Sequence, residues 1–286
     1  MTARIPFSRT RPLVFAMLLA SGTAGCVTQA PRANLNYADR AHSEYEAAME
    51  QFDGGDLLGA AEAFRRIRRE YGLSRWAWLA ELRLADTDFR TEKFAEAIQG
   101  YRSWIRYHPT QPEVDYAHYM IARSYFSQIP NDWALVPASW ERDQSSTHDA
   151  EDALQRFVRD YEQSRYVTEA RDYLRRTREL LARHEITVAE FYLGRNRPEA
   201  AIMRLQTVVE TYADSGLEPE ALLKMGEVYL LMGRRSEARA TFNTIVTRFQ
   251  RSSFVDAARR YLSFIGNVPA TPPSAAPAAS GAVTGS

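Results

Sequence analysis

Cysteine and lysine are almost missing from these 286 residues, and no long apolar run occurs. With Cys26 as the only cysteine, no disulfide can form within the chain, so packing alone must hold the fold. Thiolate zinc sites are excluded as well. The five histidines, His42, His108, His118, His148 and His184, include no i, i+4 pair of the kind that grips zinc on a helix. There is no Gly-x-Ser-x-Gly elbow and no phosphate-cradling glycine loop. Carboxylate pairs such as Asp86 and Asp88 occur on any solvated helix face, and a structural hydrogen bond is the simpler role for His118 or His184. The chain is therefore read as no enzyme, with no metal and no cofactor. Side chains assembled from distant segments are the one catalytic route left open. Acidic and basic residues balance at 36 each. Only Lys93 and Lys224 are lysine, and codon bias explains this more simply than a need for bidentate arginines. Without a basic excess, nucleic acid is excluded as a general partner.

What is present begins at the N-terminus. Arg4, Arg9 and Arg11 precede the apolar stretch Leu13–Ala20, which is followed by Ser21-Gly22-Thr23-Ala24-Gly25. A basic region, a short apolar region and a run of small residues make a secretory signal peptide over 1–25. The apolar part is far short of the ~20 residues of a spanning helix. Ala24-Gly25-Cys26 resembles the end of a bacterial lipobox, with Thr23 where leucine is frequent. That resemblance makes Cys26 the lipid-attachment residue and position one of the mature chain, and three acyl chains would make release negligible. Val27, in place of aspartate, favours the outer membrane by enterobacterial sorting rules. Removing the leader leaves 33 basic against 36 acidic residues. Residues 26–36 read as a lipidated tether. Residues 267–286 are mostly Pro, Ala, Ser, Gly and Thr and read as a disordered tail, since they bury too little apolar surface to offset ordering entropy.

From Tyr37 to Gly266 the apolar residues follow helical periodicity. A small residue in one helix is followed twelve positions later by alanine in the next: Ala48 and Ala60, Ala85 and Ala97, Ala189 and Ala201, Gly226 and Ala238. Large residues follow each second alanine, as in Phe64 and Ile67, Tyr101 and Trp104, Leu205 and Val208, Phe242 and Ile245. Gly54-Gly55-Asp56, Asn196-Arg197-Pro198 and Gly233 mark the turns. The pattern resembles the tetratricopeptide repeat, a helix–turn–helix unit that buries its apolar face only by stacking on neighbours. A third repeat, with Ala122 and Ala150, is interrupted by an insertion at 127–146 that holds Pro130, Trp133, Pro137 and Trp140; long loops of this kind tend to be functional. One long helix over about 166–193 serves repeat four, and Phe254–Ile265 closes the array. The expectation is an all-α, right-handed superhelical solenoid of about five repeats, with repeats 1–3 over 37–163 and repeats 4–5 plus the closing helix over 164–266.

In such a solenoid the first helix of each repeat lines the concave face. The register places Tyr45, Met49 and Phe52 there from repeat one, Leu82, Asp86 and Phe89 from repeat two, and Tyr116, Tyr119, Arg123 and Phe126 from repeat three. Aromatics with a few polar groups suit a groove for an extended, aromatic-rich peptide. Residue by residue, inter-repeat core is an equal alternative.

The segment Arg106-Tyr107-His108-Pro109-Thr110-Gln111-Pro112-Glu113-Val114-Asp115-Tyr116-Ala117-His118-Tyr119-Met120 is more specific than a generic repeat. It resembles the BamD family of lipoproteins of the outer-membrane β-barrel assembly machinery, with Gln111 where that family has histidine. Arg142-Asp143-Gln144, Tyr161-Glu162-Gln163-Ser164-Arg165-Tyr166, His184 to Tyr192 and Ala200 to Arg204 also look like family segments, with Glu162 replacing a proline. The resemblance implies a non-catalytic adaptor, lipid-anchored on the periplasmic face of the outer membrane. By it, the C-terminal repeats would dock on the last POTRA domain of BamA, alongside other lipoproteins of the assembly complex. The N-terminal repeats would receive unfolded outer-membrane β-barrel proteins. Arg204 matches a family arginine implicated in the BamA contact, and the groove residues become candidates for the aromatic-rich C-terminal signal of a substrate. The alternative is another repeat lipoprotein: a secretin pilotin, or an envelope adaptor tied to peptidoglycan or division. The interrupted third repeat favours the first reading.

Overall fold

Eleven helices and two single 3-10 turns account for the regular structure, and no strand occurs among the described residues. The computed structural model describes residues 36–130 and 138–267. The signal peptide, Cys26, nearly all of the tether, the tail beyond 267, and Trp133 and Pro137 of the insertion lie outside them. The helices are α1 (Tyr37–Asp53), α2 (Leu57–Glu70), α3 (Arg75–Arg90), α4 (Phe94–Tyr107), α5 (Val114–Ser127), α6 (Ser145–Asp160), α7 (Val167–Gly194), α8 (Pro198–Thr211), α9 (Glu218–Leu231), α10 (Arg235–Arg248) and α11 (Val255–Asn267). They pair in order as five antiparallel hairpins, α1/α2 through α9/α10, with α11 closing the array. This is the all-α solenoid of tetratricopeptide type. The described residues from Tyr37 to Asn267 belong to one compact unit, with continuous packing across 163/164.

The repeat register is visible as burial. Ala48, Ala60, Ala85, Ala97, Ala122, Ala150, Ala189, Ala201 and Ala238 are each at most 2% exposed. Gly226 occupies the same seam in α9, and a Cβ there would stand 2.4 Å from the Phe242 ring. Small residues are required because the paired helices touch there. Phe64, Tyr101, Trp104, Phe242 and their equivalents fill the space between repeats and are fully buried. Each such side chain contributes about 1.5–3 kcal/mol relative to exposure. Trp104 also satisfies its indole N–H, donating to the Trp78 carbonyl at 2.7 Å.

The turns inside the uninterrupted repeats share one device. Gly55, Glu92, Asn196 and Gly233 each sit seven residues after the small residue, and each has positive φ, from 56° to 86°. A left-handed residue reverses the chain so that the next helix starts two residues later. Glycine adopts this conformation without strain, whereas Glu92 does so at a cost. Repeat three has Ile129 at that position, and there the chain departs into the insertion. Its described part forms a 3-10 turn at Ser139–Glu141 that packs on α7, where Nδ1 of His184 meets the Trp140 carbonyl at 2.6 Å. The following helix begins at Ser145, slightly earlier than the insertion boundary expected from sequence. Asp56 and Ser74 cap α2 and α3 by accepting from the amides of Gly59 and Ala77.

α7, with 28 residues, spans about 42 Å and belongs to both halves of the array. Arg178 lies midway along it. Its Nε donates to Glu151 of α6 at 3.1 Å, and its other nitrogens reach the Thr211 carbonyl at the end of α8 and Asp214 just beyond it. At the far end, Tyr261 of α11 stacks on Phe242 at 4.8 Å and donates to Glu227 at 2.9 Å, which covers the last repeat.

Candidate functional site

The first helices of repeats one to three, α1, α3 and α5, carry a layer of aromatic rings and arginines centred on Asp86. Asp86 is nearly fully buried. Its Oδ1 accepts from the hydroxyls of Tyr101 at 2.6 Å and Tyr116 at 2.8 Å. Its Oδ2 accepts from Arg83, one helical turn earlier. Arg83 also donates from Nε to the Tyr45 hydroxyl at 3.2 Å, and its guanidinium lies 5.5 Å from the Tyr116 ring centre. A single carboxylate thus ties together α1, α3, α4 and α5. Burial opposes the Arg83 charge, but Asp86, Tyr45 and Tyr116 outweigh it and hold the guanidinium protonated well above its usual range. Burial first, and then Asp86, pushes the Tyr101 and Tyr116 hydroxyls far up.

Further arginine–aromatic pairs continue the layer on both sides. Arg90 of α3 lies 4.5 Å over the Phe52 ring and donates to the Phe52 carbonyl at 2.6 Å. Arg123 of α5 lies 5.1 Å over Phe89. Tyr119 stacks on Tyr166 at 4.7 Å, and Phe126 meets Tyr173 of α7 at 4.5 Å. Burial, followed by Glu169, raises the Tyr119 hydroxyl. Such pairs hold both ring and guanidinium in place at about 0.5–2 kcal/mol each.

The ten residues expected to line a groove divide into two sets. Met49, Phe89, Tyr116, Arg123 and Phe126 are half-buried and reach the surface. Tyr45, Phe52, Leu82, Asp86 and Tyr119 are buried and make up the layer beneath it. Leu82 has no exposure at all and belongs to the core between repeats two and three. The physical reason is the contact between successive first helices, which covers the inner side of each. Arg83, Arg90, Tyr101, Tyr166 and Tyr173 were not anticipated. The i, i+3 spacing of Arg83 and Asp86 was the one local signal available.

Arg204 sits apart, on α8. Its Nη1 donates to Glu185 of α7 at 3.3 Å, and its side chain is 43% exposed. Glu185 is the main reason its pKa is raised, against a smaller effect of burial. The arginine is therefore held in place from within the chain while its outer side is open. Met203 beside it is largely exposed. Neither His118 nor His184 belongs to a ligand cluster: no group of three or more His, Cys, Asp or Glu suited to a metal occurs among the described residues. No helix there is long and apolar enough to cross a membrane.

Residues 38–244 match a protein family described as YfiO, outer membrane lipoprotein. The chain is 30% identical over 271 residues to the outer membrane protein assembly factor BamD of Caulobacter vibrioides, covering 94% of this chain and 86% of that protein. It is 26% identical to the BamD of Rickettsia prowazekii over 201 residues, with 70% and 77% covered. Among solved structures, similarity extends to kinesin light chain TPR-like repeats of Podosopora anserina, at 16% identity and a TM-score of 0.34 over 76% of this chain and 100% of that one.

Proposed function

The chain belongs to the YfiO family of outer membrane lipoproteins, and from that premise we propose that it is a non-catalytic adaptor of outer-membrane β-barrel assembly. The carrying observation is the extent of the family match, which runs from α1 into α10 and so takes in all five repeats. In this reading Cys26 carries the lipid that anchors the protein to the periplasmic face of the outer membrane. Repeats four and five dock on the last POTRA domain of BamA, with other lipoproteins of the assembly complex nearby. Arg204 is the leading contact residue. Glu185 holds its guanidinium in a fixed place, so a carboxylate on the partner meets a preset cation at little entropic cost.

Repeats one to three receive the unfolded barrel protein. The exposed rims of Met49, Phe89, Arg123 and Phe126, resting on the buried Asp86 layer, offer ring faces and guanidinium donors to an extended segment rich in aromatics. The layer is rigid because Asp86 satisfies three donors at once, so a bound segment meets a formed surface.

Two measurements test the halves separately. Arg204→Glu should weaken capture of a purified BamA POTRA domain by about tenfold or more through charge reversal; unchanged capture removes Arg204 from the interface. A photo-crosslinking residue at Phe126 should label the C-terminal segment of an unfolded barrel protein, and the same residue at exposed Arg239 on α10 should not. Equal labelling at both positions contradicts the groove.

A further inference from the structure

A second concave site lies on the side of α5 turned away from this aromatic surface. At 100° per residue, His118, Ile121 and Tyr125 share one side of the helix, roughly half a turn from Tyr116, Tyr119 and Arg123. α4 and α6 rise on either side of them and enclose a cavity of about 260 Å³. Its apolar floor and walls come from Ile105, Ile121 and Phe157. Two guanidiniums stand at its rim, Arg102 from α4 and Arg156 from α6.

Among the described residues, neither guanidinium has a carboxylate within hydrogen-bond distance. Arg102 donates to the Tyr125 hydroxyl at 2.8 Å and lies 5.8 Å over that ring. Arg156 has Asp152 at 3.9 Å, beyond hydrogen-bond distance. The one acid lining the cavity, Asp160, is already engaged by Arg159 at 2.8 Å. His118 lies 5.0 Å from the Tyr161 ring at the end of the cavity. Burial lowers its pKa, against a smaller opposing effect of Asp160, so at neutral pH the imidazole is uncharged and offers one N–H.

The equivalent groove one repeat earlier, between α2 and α4, differs in charge. There Arg65 pairs with Glu62 at 2.6 Å and Arg68 with Glu81 at 4.0 Å. That groove is lined by two acids, Glu81 and Asp88, against its two arginines, whereas the α4–α6 groove is lined by Asp160 alone against Arg102 and Arg156, whose heads face solvent over an apolar floor. The volume suits one or two side chains, being smaller than the ~300–1,000 Å³ of cofactor-sized pockets.

We propose that the α4–α6 groove binds an acidic side chain presented next to an apolar or aromatic residue in an extended segment of a partner protein. Arg102 and Arg156 take the carboxylate, and Ile105, Ile121 and Phe157 take the apolar neighbour. The site uses none of the residues of the aromatic surface or of Arg204, so it stands or falls independently of the roles assigned to them.

The test uses the mature chain and two small probes of the same shape, N-acetylphenylalanine and its uncharged amide. Titration is followed by NMR on the ring signals of His118 and Tyr125, assigned by their loss in His118→Gln and Tyr125→Phe. The acid should shift both signals saturably, with the amide about tenfold weaker or worse because two charge-assisted contacts are missing. Arg102→Gln/Arg156→Gln should remove the preference for the acid. Both positions are exposed, so circular dichroism should show an unchanged melt and separate loss of binding from loss of fold. Arg123→Gln, on the other surface, should leave the titration intact. Equal response to acid and amide, persistence of the preference in the double variant, or no response at His118 would each overturn the assignment.

Discussion

Replacing Asp86 with alanine removes the acceptor of three donors in one step. The Tyr101 and Tyr116 hydroxyls lose charge-assisted bonds of 2.6 and 2.8 Å, each worth about 1.5–3 kcal/mol. Arg83 loses its ion pair, but its side chain is 24% exposed and can turn partly to water, so its loss counts for less than that of a sealed pair. The two hydroxyl bonds alone sum to about 3–6 kcal/mol, which overlaps the range seen when one partner of a buried pair is deleted. Asp86→Asn should cost less, about 1–3 kcal/mol: its oxygen still accepts from both hydroxyls, while its amide N–H now opposes Arg83. In a chain of this size the alanine variant should melt roughly 6–24 °C lower. The loss should also be local, because a repeat array is stabilised by nearest neighbours. Hydrogen exchange should therefore speed up across α3–α5 and leave α9 and α10 protected. A melt within about 0.5 kcal/mol of the parent chain, or equal loss of protection in α9 and α10, would refute the idea that this carboxylate holds repeats one to three together.

Gly226→Ala gains up to about 1 kcal/mol in helix propensity but drives a Cβ into the Phe242 ring, so the net should be a loss of about 1–2 kcal/mol in denaturant unfolding. Gly194→Ala, where nothing lies within 4 Å, should be neutral or slightly stabilising, and the same outcome at both sites would mean that the α9/α10 seam is loose. Stability should fall at alkaline pH. Tyr101 and Tyr116 have pKa values raised on folding, so their contribution is complete below pH ~10 and is lost as the pH climbs beyond it toward the folded values. Each of these two groups adds about 1.4 kcal/mol per pH unit to the slope, and Tyr101→Phe should remove its share. Cys26→Ala should yield protein that is released from membranes or keeps its leader; unchanged membrane fractionation without palmitate labelling contradicts the lipid anchor.

Much of the solenoid was readable because one packing rule repeats. A small residue and an alanine twelve later can recur only where helices meet at a fixed crossing, and every one of those positions is buried. The turn at Glu92 was not readable, since its left-handed conformation is carried by a residue that gives no sign of it, unlike Gly55 and Gly233. The same limit applied at the candidate site. Helical periodicity placed Tyr45, Leu82, Asp86 and Phe126 on the inner sides of their helices, but it carries no information on how closely the next helix approaches. That distance decides that Leu82 is core and Phe126 is surface. Asp86 was read as a groove acid because its partners Tyr101 and Tyr116 lie 15 and 30 residues away on other helices. The internal partner of Arg204 was hidden for the same reason, since Glu185 lies 19 residues before it.

The most direct test of the adaptor reading is to tag the C-terminal tail, purify the protein from detergent-solubilised envelopes and identify what accompanies it. The account predicts BamA as the dominant partner, with its yield reduced in Arg204→Glu. Recovery of a secretin or of peptidoglycan enzymes without BamA would contradict the assembly role and leave only the solenoid standing.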